Sequence, residues 1–388
     1  MPTADAQRSL RLALRLAARG RYRTAPNPRV GAVLVAPSGV VVGSGWHREV
    51  GGPHAEAEAL AAAGRRARGA TLYVTLEPCA HHGRTPPCAE AVIAAGVARV
   101  VACHGDPDPR VGGRGFDRLR AAGIAVEVGP LAEEAIVLNL AFLVAATLGR
   151  PAVTLKWAMS LDGRIATATG ESQWITSAAS RRWALGLREE HDATLAGVGT
   201  VLADDPLLNR RLKLAPGPGV RAVLDRRLRT PPAARLFSAP GEVLLYTESD
   251  GGEPRGAALA ARGATIVRLP RVTPAAVLAD LHGRGIQSLL VEGGGETLAS
   301  FAESGLYDRV SVAAAPLLVG GRAAPGPLGG AGWGALGAAP RLAGLTAGRR
   351  GRDLVMTAYR EGAVADLLAL VLPPLPPAGD PGPRRESR

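Results

Sequence analysis

HAEAEAL at residues 54–60 and TLEPCAHHGRTPPC at residues 75–88 decide how the first half of this chain is read. A histidine, a carboxylate two positions later and two cysteines downstream, each near an expected helix start, form the ligand-plus-base set of a zinc-dependent deaminase. In mid-helix, His54 and Glu56 would point about 200° apart and could not face one ion. At a first turn they can converge just beyond the helix end. Cys88 likewise precedes an alanine-rich helix, and Pro86 and Pro87 stop that helix extending backwards. Two helix N-termini then point at one centre, which favours thiolates and a bound metal.

One imidazole and two thiolates leave a formally neutral zinc centre, a weaker Lewis acid than a three-histidine site. A general base is therefore needed to activate a water in the fourth position. Glu56 has the position for it and can return the proton to a departing amine, so the expected product carries a carbonyl where an exocyclic amino group stood. HAE on a helix, or Pro-Cys, is common in isolation; their order, with a second cysteine at a second helix start, carries the metal reading. Cys103 falls in an expected buried strand and reads as core packing.

Around this stretch the pattern is α/β. A helix is expected over 7–19, a strand pair at VGAVLVA (30–36) and VVVGSGW (40–46), and a helix from His54 to Ala63 that Gly64 ends. Strands at 71–76, 99–104 and 124–129 alternate with helices at 89–96 and 116–123, giving a three-layer sheet with largely parallel late strands. A helix over 131–147 closes the unit. After Gly149-Arg150-Pro151 the alternation restarts, with strands at 152–157, 193–197, 221–225, 243–247, 265–269, 288–292 and 308–314, and helices near 180–190, at 274–283 and from Thr297. The expected organisation is a domain at 1–148, a second at 149–361 and a proline-rich, disordered tail at 362–388.

The spacing between the cysteines is distinctive. Ordinary nucleobase deaminases close with Pro-Cys-x-x-Cys, whereas AHHGRTPP separates Cys79 from Cys88 here. Together with PNPRVGAV (26–33), GWH (45–47) and HGDPDP (104–109), the string from Glu77 to Cys88 resembles the bifunctional riboflavin-biosynthesis deaminase/reductase family. That resemblance implies a cytidine-deaminase-like αβα domain in which His54, Cys79 and Cys88 hold zinc and Glu56 shuttles protons. It makes Asn27 and His47 contacts to the pyrimidine or its sugar, and places His82 and Arg84 for the substrate phosphate, a role the arginine fork suits.

In the second half no Gly-x-Gly-x-x-Gly follows the first strand, so a Rossmann fold is not read. Gly293-Gly294-Gly295, between strand SLLVE and a helix, would offer free amides and a positive helix end to a phosphate. LKWAMSLDGRIA (155–166), GESQWITS (170–177) and GVGTVLADDPLLNRR (197–211) resemble the same family's reductase half, with a dihydrofolate-reductase-like fold. The resemblance implies NADPH contacts at Ala158, Trp174, Thr200, Asp204 and the loop Gly294, Gly295, Glu296, Thr297, Leu298, Ala299 and Ser300. It implies contacts to the substrate's ribose phosphate at Ser172, Arg188, Leu208, Arg211 and Glu292. Lys156, grouped with the cofactor contacts, could polarise the sugar or hold Glu292. Where the family has serine after the aspartate that follows strand RAVLD, this chain has Arg226, expected to meet the 2'-phosphate of NADPH.

Composition bounds the rest. At 388 residues the chain should hold two domains, each able to bury its own core. The net charge of +12 comes from scattered arginines, with lysine only at 156 and 213, and aromatics make up 4%; neither a basic face nor stacking platforms are indicated, so no nucleic-acid partner is expected. Three cysteines form no disulfide framework, arginines interrupt the N-terminal leucines, and LLALVL (367–372) is too short to span a bilayer. The expectation is a cytoplasmic enzyme without a membrane partner, acting on a small phosphorylated pyrimidine, with one zinc and NADPH, and forming a dimer or tetramer as the resemblance implies.

Overall fold

The structure, a computed structural model, describes residues 4–80, 87–108, 112–249 and 253–372. The chain separates into two compact units. The first consists of Met1–Gly20, Arg29–Leu138 and Leu367–Arg388, the second of Arg21–Pro28 and Asn139–Asp366.

The first unit runs α1 (Ala4–Ala17), β1 (Gly31–Val35), β2 (Val41–Trp46), α2 (Ala55–Ala63), β3 (Thr71–Val74), α3 (Cys88–Ala94), β4 (Arg99–Ala102), α4 (Arg114–Ala121), β5 (Ala125–Val128) and α5 (Ala132–Leu138). Its sheet order is β2-β1-β3-β4-β5. β1 is antiparallel to both β2 and β3, while β3, β4 and β5 are parallel, as the late strands were expected to be. Small residues let helices lie directly on the strands. A Cβ on Gly31 would sit 2.0 Å from the Ala13 carbonyl oxygen of α1, and one on Gly43 2.2 Å from that of Ala59 in α2. Leu34, Leu72, Val74, Val100, Phe116 and Leu119 fill the core beneath α2 and its alanines. Each such leucine contributes about 2 kcal/mol on removal from water. Cys103 packs with Leu10, Val101 and Ala135, and burial pushes its thiol up to about 12.

The second unit continues with α6 (Leu140–Leu148), β6 (Ala152–Ser160), α7 (Ala178–Glu190), β7 (Ala193–Gly197), α8 (Val198–Asp204), β8 (Val220–Leu224), β9 (Val243–Thr247), α9 (Glu253–Ala261), β10 (Ala264–Arg268), α10 (Pro274–Gly283), β11 (Ser288–Glu292), α11 (Gly295–Glu303), β12 (Arg309–Ala315), β13 (Leu342–Arg350) and β14 (Asp353–Arg360). The sheet order is β10-β9-β8-β7-β11-β6-β12-β14-β13, parallel up to β12 and closed by an antiparallel hairpin. Loops at the carboxyl ends of β6, β7, β8 and β11 therefore gather along one edge, where open α/β sheets bind ligands.

Three features depart from the sequence reading. The helix expected over 131–147 is two helices, broken at Asn139 (φ −108°, ψ 21°), and the change of unit falls at Leu138/Asn139. The hairpin β13–β14 was not foreseen. The segment expected to begin a disordered tail at 362 instead forms α12 (Ala363–Val371). That expectation is corrected by burial: Leu367 and Val371, four apart on one helix face, are 1% and 4% exposed. The Val371 carbonyl accepts the Gly105 N–H at 2.9 Å within the first unit. The proline-rich stretch from 373 lies outside the described residues.

Candidate functional site

Helix α2 begins beside Pro53, with His54 as its N-cap in extended backbone (φ −74°, ψ 161°). Gly64, at φ 55°, ends it by donating its N–H to the Leu60 carbonyl. Cys88 is the first residue of α3, after Pro87. The ligand atoms of His54, Cys79 and Cys88 all lie within 4.8 Å of one another. His54 Nδ1 is 3.7 Å from Cys79 Sγ and 3.3 Å from Cys88 Sγ. A tetrahedral zinc, with bonds of about 2.0–2.3 Å, would set such separations at roughly 3.5–3.8 Å. The donor chemistry agrees as well. The Cys88 S–H and N–H, together with His54, hold the Cys79 thiol well below the usual thiol range, while the same pairing pushes that of Cys88 up. Two sulfurs so close carry two negative charges only around a cation. The residues present fit zinc.

Glu56 is buried in the first turn of α2, and desolvation pushes its carboxyl up to about 7. A carboxyl near neutrality can both take and return a proton. The ring of His47 lies edge-on to that of His54, with centroids 5.6 Å apart. Its Nδ1 donates to the Pro53 carbonyl at 3.0 Å, and burial lowers its basicity. Asn27 lies in the Arg21–Pro28 segment of the second unit, its N–H bonded to the Thr24 carbonyl at 2.7 Å. His82 and Arg84 fall outside the described residues.

The sequence pattern assigns Glu77 no role. Its buried carboxylate accepts four backbone N–H groups, from Asp106 (3.0 Å), Gly113 (2.9 Å), Gly115 (2.8 Å) and Phe116 (3.3 Å). It thereby joins the exit of β3, the exit of β4 and the start of α4 immediately behind Cys79. Its place directly before Pro78-Cys79 was the available signal.

In the second unit a buried ion-pair cluster stands where the carboxyl end of β11 meets the middle of β6. Arg188 grips Glu292 through two bonds of 2.8 and 3.0 Å, and Lys156 Nζ lies 3.5 Å from the same carboxylate. Burial would raise the Glu292 carboxyl, but Arg188 and Lys156 hold it down at about 2. Lys156 thus meets Glu292. Arg188 Nη1 is buried without a partner among the described residues, a donor open to an anion. Arg211 follows Leu208, whose backbone is left-handed (φ 51°), and its N–H is fixed by Glu189 at 2.9 Å. Desolvation first, then the neighbouring Arg188, lowers the Arg211 pKa.

The loops after β7 and β11 interlock. The Gly294 N–H donates to Thr200 Oγ1 at 2.9 Å, and a Cβ on Gly197 would meet Thr297 Oγ1 at 2.3 Å. Ser172 donates to Asp204 at 3.2 Å. Trp174 is 66% exposed, with the Arg181 guanidinium 4.4 Å from its ring centre. Ala158 lies in β6, beyond the Lys156–Glu292 register pair. The side chains of Leu298 and Ala299 are buried in the core, and the Ser300 hydroxyl bonds the Thr297 carbonyl, so these three offer a ligand mainly backbone. Glu296 accepts the Gly330 N–H, and Gly295 packs against Gly326 and Gly329. Arg226, past the end of β8, is exposed, 3.6 Å from Glu248.

Fold and site define a two-domain enzyme in which a cytidine-deaminase-like unit with a His-Cys-Cys metal centre is joined to a dihydrofolate-reductase-like α/β unit. Residues 3–104 match the cytidine and deoxycytidylate deaminase zinc-binding region, and residues 151–355 match the RibD C-terminal domain. The riboflavin biosynthesis protein RibD of Aquifex aeolicus is 45% identical over 323 residues, covering 82% of this chain and 89% of that one. That of Escherichia coli is 45% identical over 322 residues, covering 79% and 87%. Among solved structures, Acinetobacter baumannii RibD superposes with a TM-score of 0.80 at 37% identity, covering 92% of this chain and 99% of its own. A Thermotoga maritima protein described as a diaminohydroxyphosphoribosylaminopyrimidine deaminase/5-amino-6-(5-phosphoribosylamino)uracil reductase gives 0.79 at 34%, with the same coverage. The chain belongs to the RibD family of bifunctional deaminase/reductase enzymes of riboflavin biosynthesis.

Proposed function

We propose that the chain catalyses two successive steps on one phosphorylated pyrimidine. Its first domain, about residues 1–148, hydrolyses the 2-amino group of 2,5-diamino-6-(5-phospho-ribosylamino)pyrimidin-4(3H)-one, giving 5-amino-6-(5-phospho-ribosylamino)uracil and ammonia. Its second, about 149–361, reduces the ribosyl group to ribityl with NADPH. The observation that carries this reading is the convergence of His54, Cys79 and Cys88 beside buried Glu56.

His54, Cys79 and Cys88 would hold the zinc, which would supply electrophilic activation of water for attack on the carbon bearing the amine. Glu56 takes the proton from that water and delivers it to the leaving nitrogen, which its near-neutral carboxyl permits in both directions. His47, with Nδ1 committed to Pro53, is oriented toward the same centre and is assigned to the substrate, as are Asn27, His82 and Arg84. NADPH, held in the second domain, would supply the hydride that reduces the sugar C1. Glu292, kept ionised by Arg188 and Lys156, receives sugar hydroxyls, and the free Nη1 of Arg188 with Arg211 receives the phosphate. Ser172 and Leu208 complete that subsite. The interlocked loops at Thr200 and Gly294–Ser300, with Ala158, Trp174, Asp204 and Arg226, receive the dinucleotide.

The diamino substrate with purified protein should lose only its amino group in the absence of NADPH, and gain two further hydrogens when NADPH is added. Unchanged mass in both reactions would overturn the reading. Further parts of the proposal are a cytoplasmic location, neither nucleic-acid nor membrane partners, and a homo-oligomer, dimer or tetramer. The last is supported by β13, an exposed nine-residue strand that, among the described residues, forms the edge of the sheet beside β14 and carries exposed Leu342 and Leu345.

A further inference from the structure

The glycine-rich segment 316–332 that follows β12 is fastened at both ends. At the turn after β6, the Asp162 carboxylate accepts the Val319 N–H at 3.1 Å and the Gly320 N–H at 2.7 Å, and is braced by the Ser160 hydroxyl at 2.6 Å. The Leu161 N–H donates to the Leu317 carbonyl at 2.8 Å, the Ile165 N–H to that of Pro325 at 3.0 Å, and the Arg164 guanidinium to that of Ala324 at 2.7 Å. At α11, the Gly329 N–H donates to the Gly295 carbonyl at 3.1 Å, the Gly330 N–H to Glu296 at 3.3 Å and the Gly332 N–H to Glu303 at 2.9 Å. Contact at this second anchor leaves no room for side chains. A Cβ on Gly329 would lie 2.3 Å from a Glu296 oxygen, and one on Gly330 2.4 Å from a Glu303 oxygen.

The two anchors are the borders of the proposed reductase groove. The turn after β6 continues the strand bearing Lys156 and Ala158, and the turn before α11 bears Gly294–Ser300. We infer that Asp162 is a positioning residue for the reductase reaction, setting through segment 316–332 the separation of these two turns and so the fit of the groove to the dinucleotide. Glu296, grouped by resemblance with the cofactor contacts, then serves NADPH through its grip on Gly330. The hydroxyl and two amides hold the Asp162 carboxyl down at about 2, so the fastening persists throughout neutral pH.

The inference rests on the reductase reading, and the full-length enzyme can separate the two. Asp162→Ala should raise KM for NADPH by about tenfold while kcat stays within about twofold, the signature of lost ground-state fit rather than lost chemistry. Ammonia release by the other domain should be unchanged. Asp162→Asn, which keeps one acceptor oxygen, should recover part of the effect, and hydrogen exchange at Gly329 and Gly330 should quicken in Asp162→Ala without cofactor. Ser160→Ala is the milder variant should Asp162→Ala fail to fold, and should shift KM in the same direction. An unsubstituted enzyme that reduces substrate beside variants with the same KM would sink the inference alone. An unsubstituted enzyme that oxidises no NADPH would take the reductase reading down with it.

Discussion

At the scale of single residues, the metal-ligand set could be read before any fold was known. His54, Cys79 and Cys88 were named from order and spacing, and they converge within 4.8 Å. Glu56 follows from the same string; Glu56→Gln should retain zinc by metal analysis yet lose ammonia release by about 10²–10⁴-fold, the range for a general acid–base. Retained turnover would remove the proton shuttle from the mechanism. Arg226 is a sharper case, since its nearest charge is Glu248 and the guanidinium is exposed. Arg226→Ala should narrow the preference for NADPH over NADH, read as the ratio of kcat/KM values, and an unaltered ratio would free Arg226 of that role. Glu77 escaped the reading because its partners are backbone amides 29 to 39 positions away, and sequence spacing carries no record of such bonds.

Elements were legible where the apolar period was strong. The strands of both sheets and α2 lie close to where alternation and Gly64 put them. The hairpin β13–β14 was not, because LAGLTAGRR is exposed along nearly its whole length and so has no buried face to write a period. Likewise α12 was hidden by the prolines that follow it. The packing of α2 on β2 depends on glycine: a Cβ on Gly45 would stand 2.7 Å from the Ala55 carbonyl oxygen. Gly45→Val should push α2 off the strand and destabilise the first unit by about 1–3 kcal/mol, as overpacking does. Ammonia release should fall while NADPH oxidation with the deaminated substrate persists; equal activities in both assays would show that the contact does not set the metal centre.

At the scale of the whole molecule, each unit buries a neutral imidazole. Desolvation lowers His104, in the first unit, to about 4, and His191, in the second, also to about 4. Above pH 6.5 both rings are neutral whether the chain is folded or not, and stability is full. Between pH 6.5 and 4 the unfolded chain takes up protons that the folded chain refuses, so stability falls, by about 3 kcal/mol per ring once pH is below 4. Urea midpoints should drop across that window, and His191→Gln should flatten the drop in the second unit's transition; an equal slope would assign the loss elsewhere. The division into two α/β units was plain from the restart of alternation after residue 149, but the composition of the first unit was not, because one part of it follows the second unit in sequence. That discontinuity has a consequence for synthesis. Most of the first unit is translated before the second, yet Leu367 and Val371 leave the ribosome only after the second unit has been made. Until they emerge, the Gly105 N–H lacks its Val371 acceptor, so the nascent deaminase half waits, one fastening short, for the reductase half to be made.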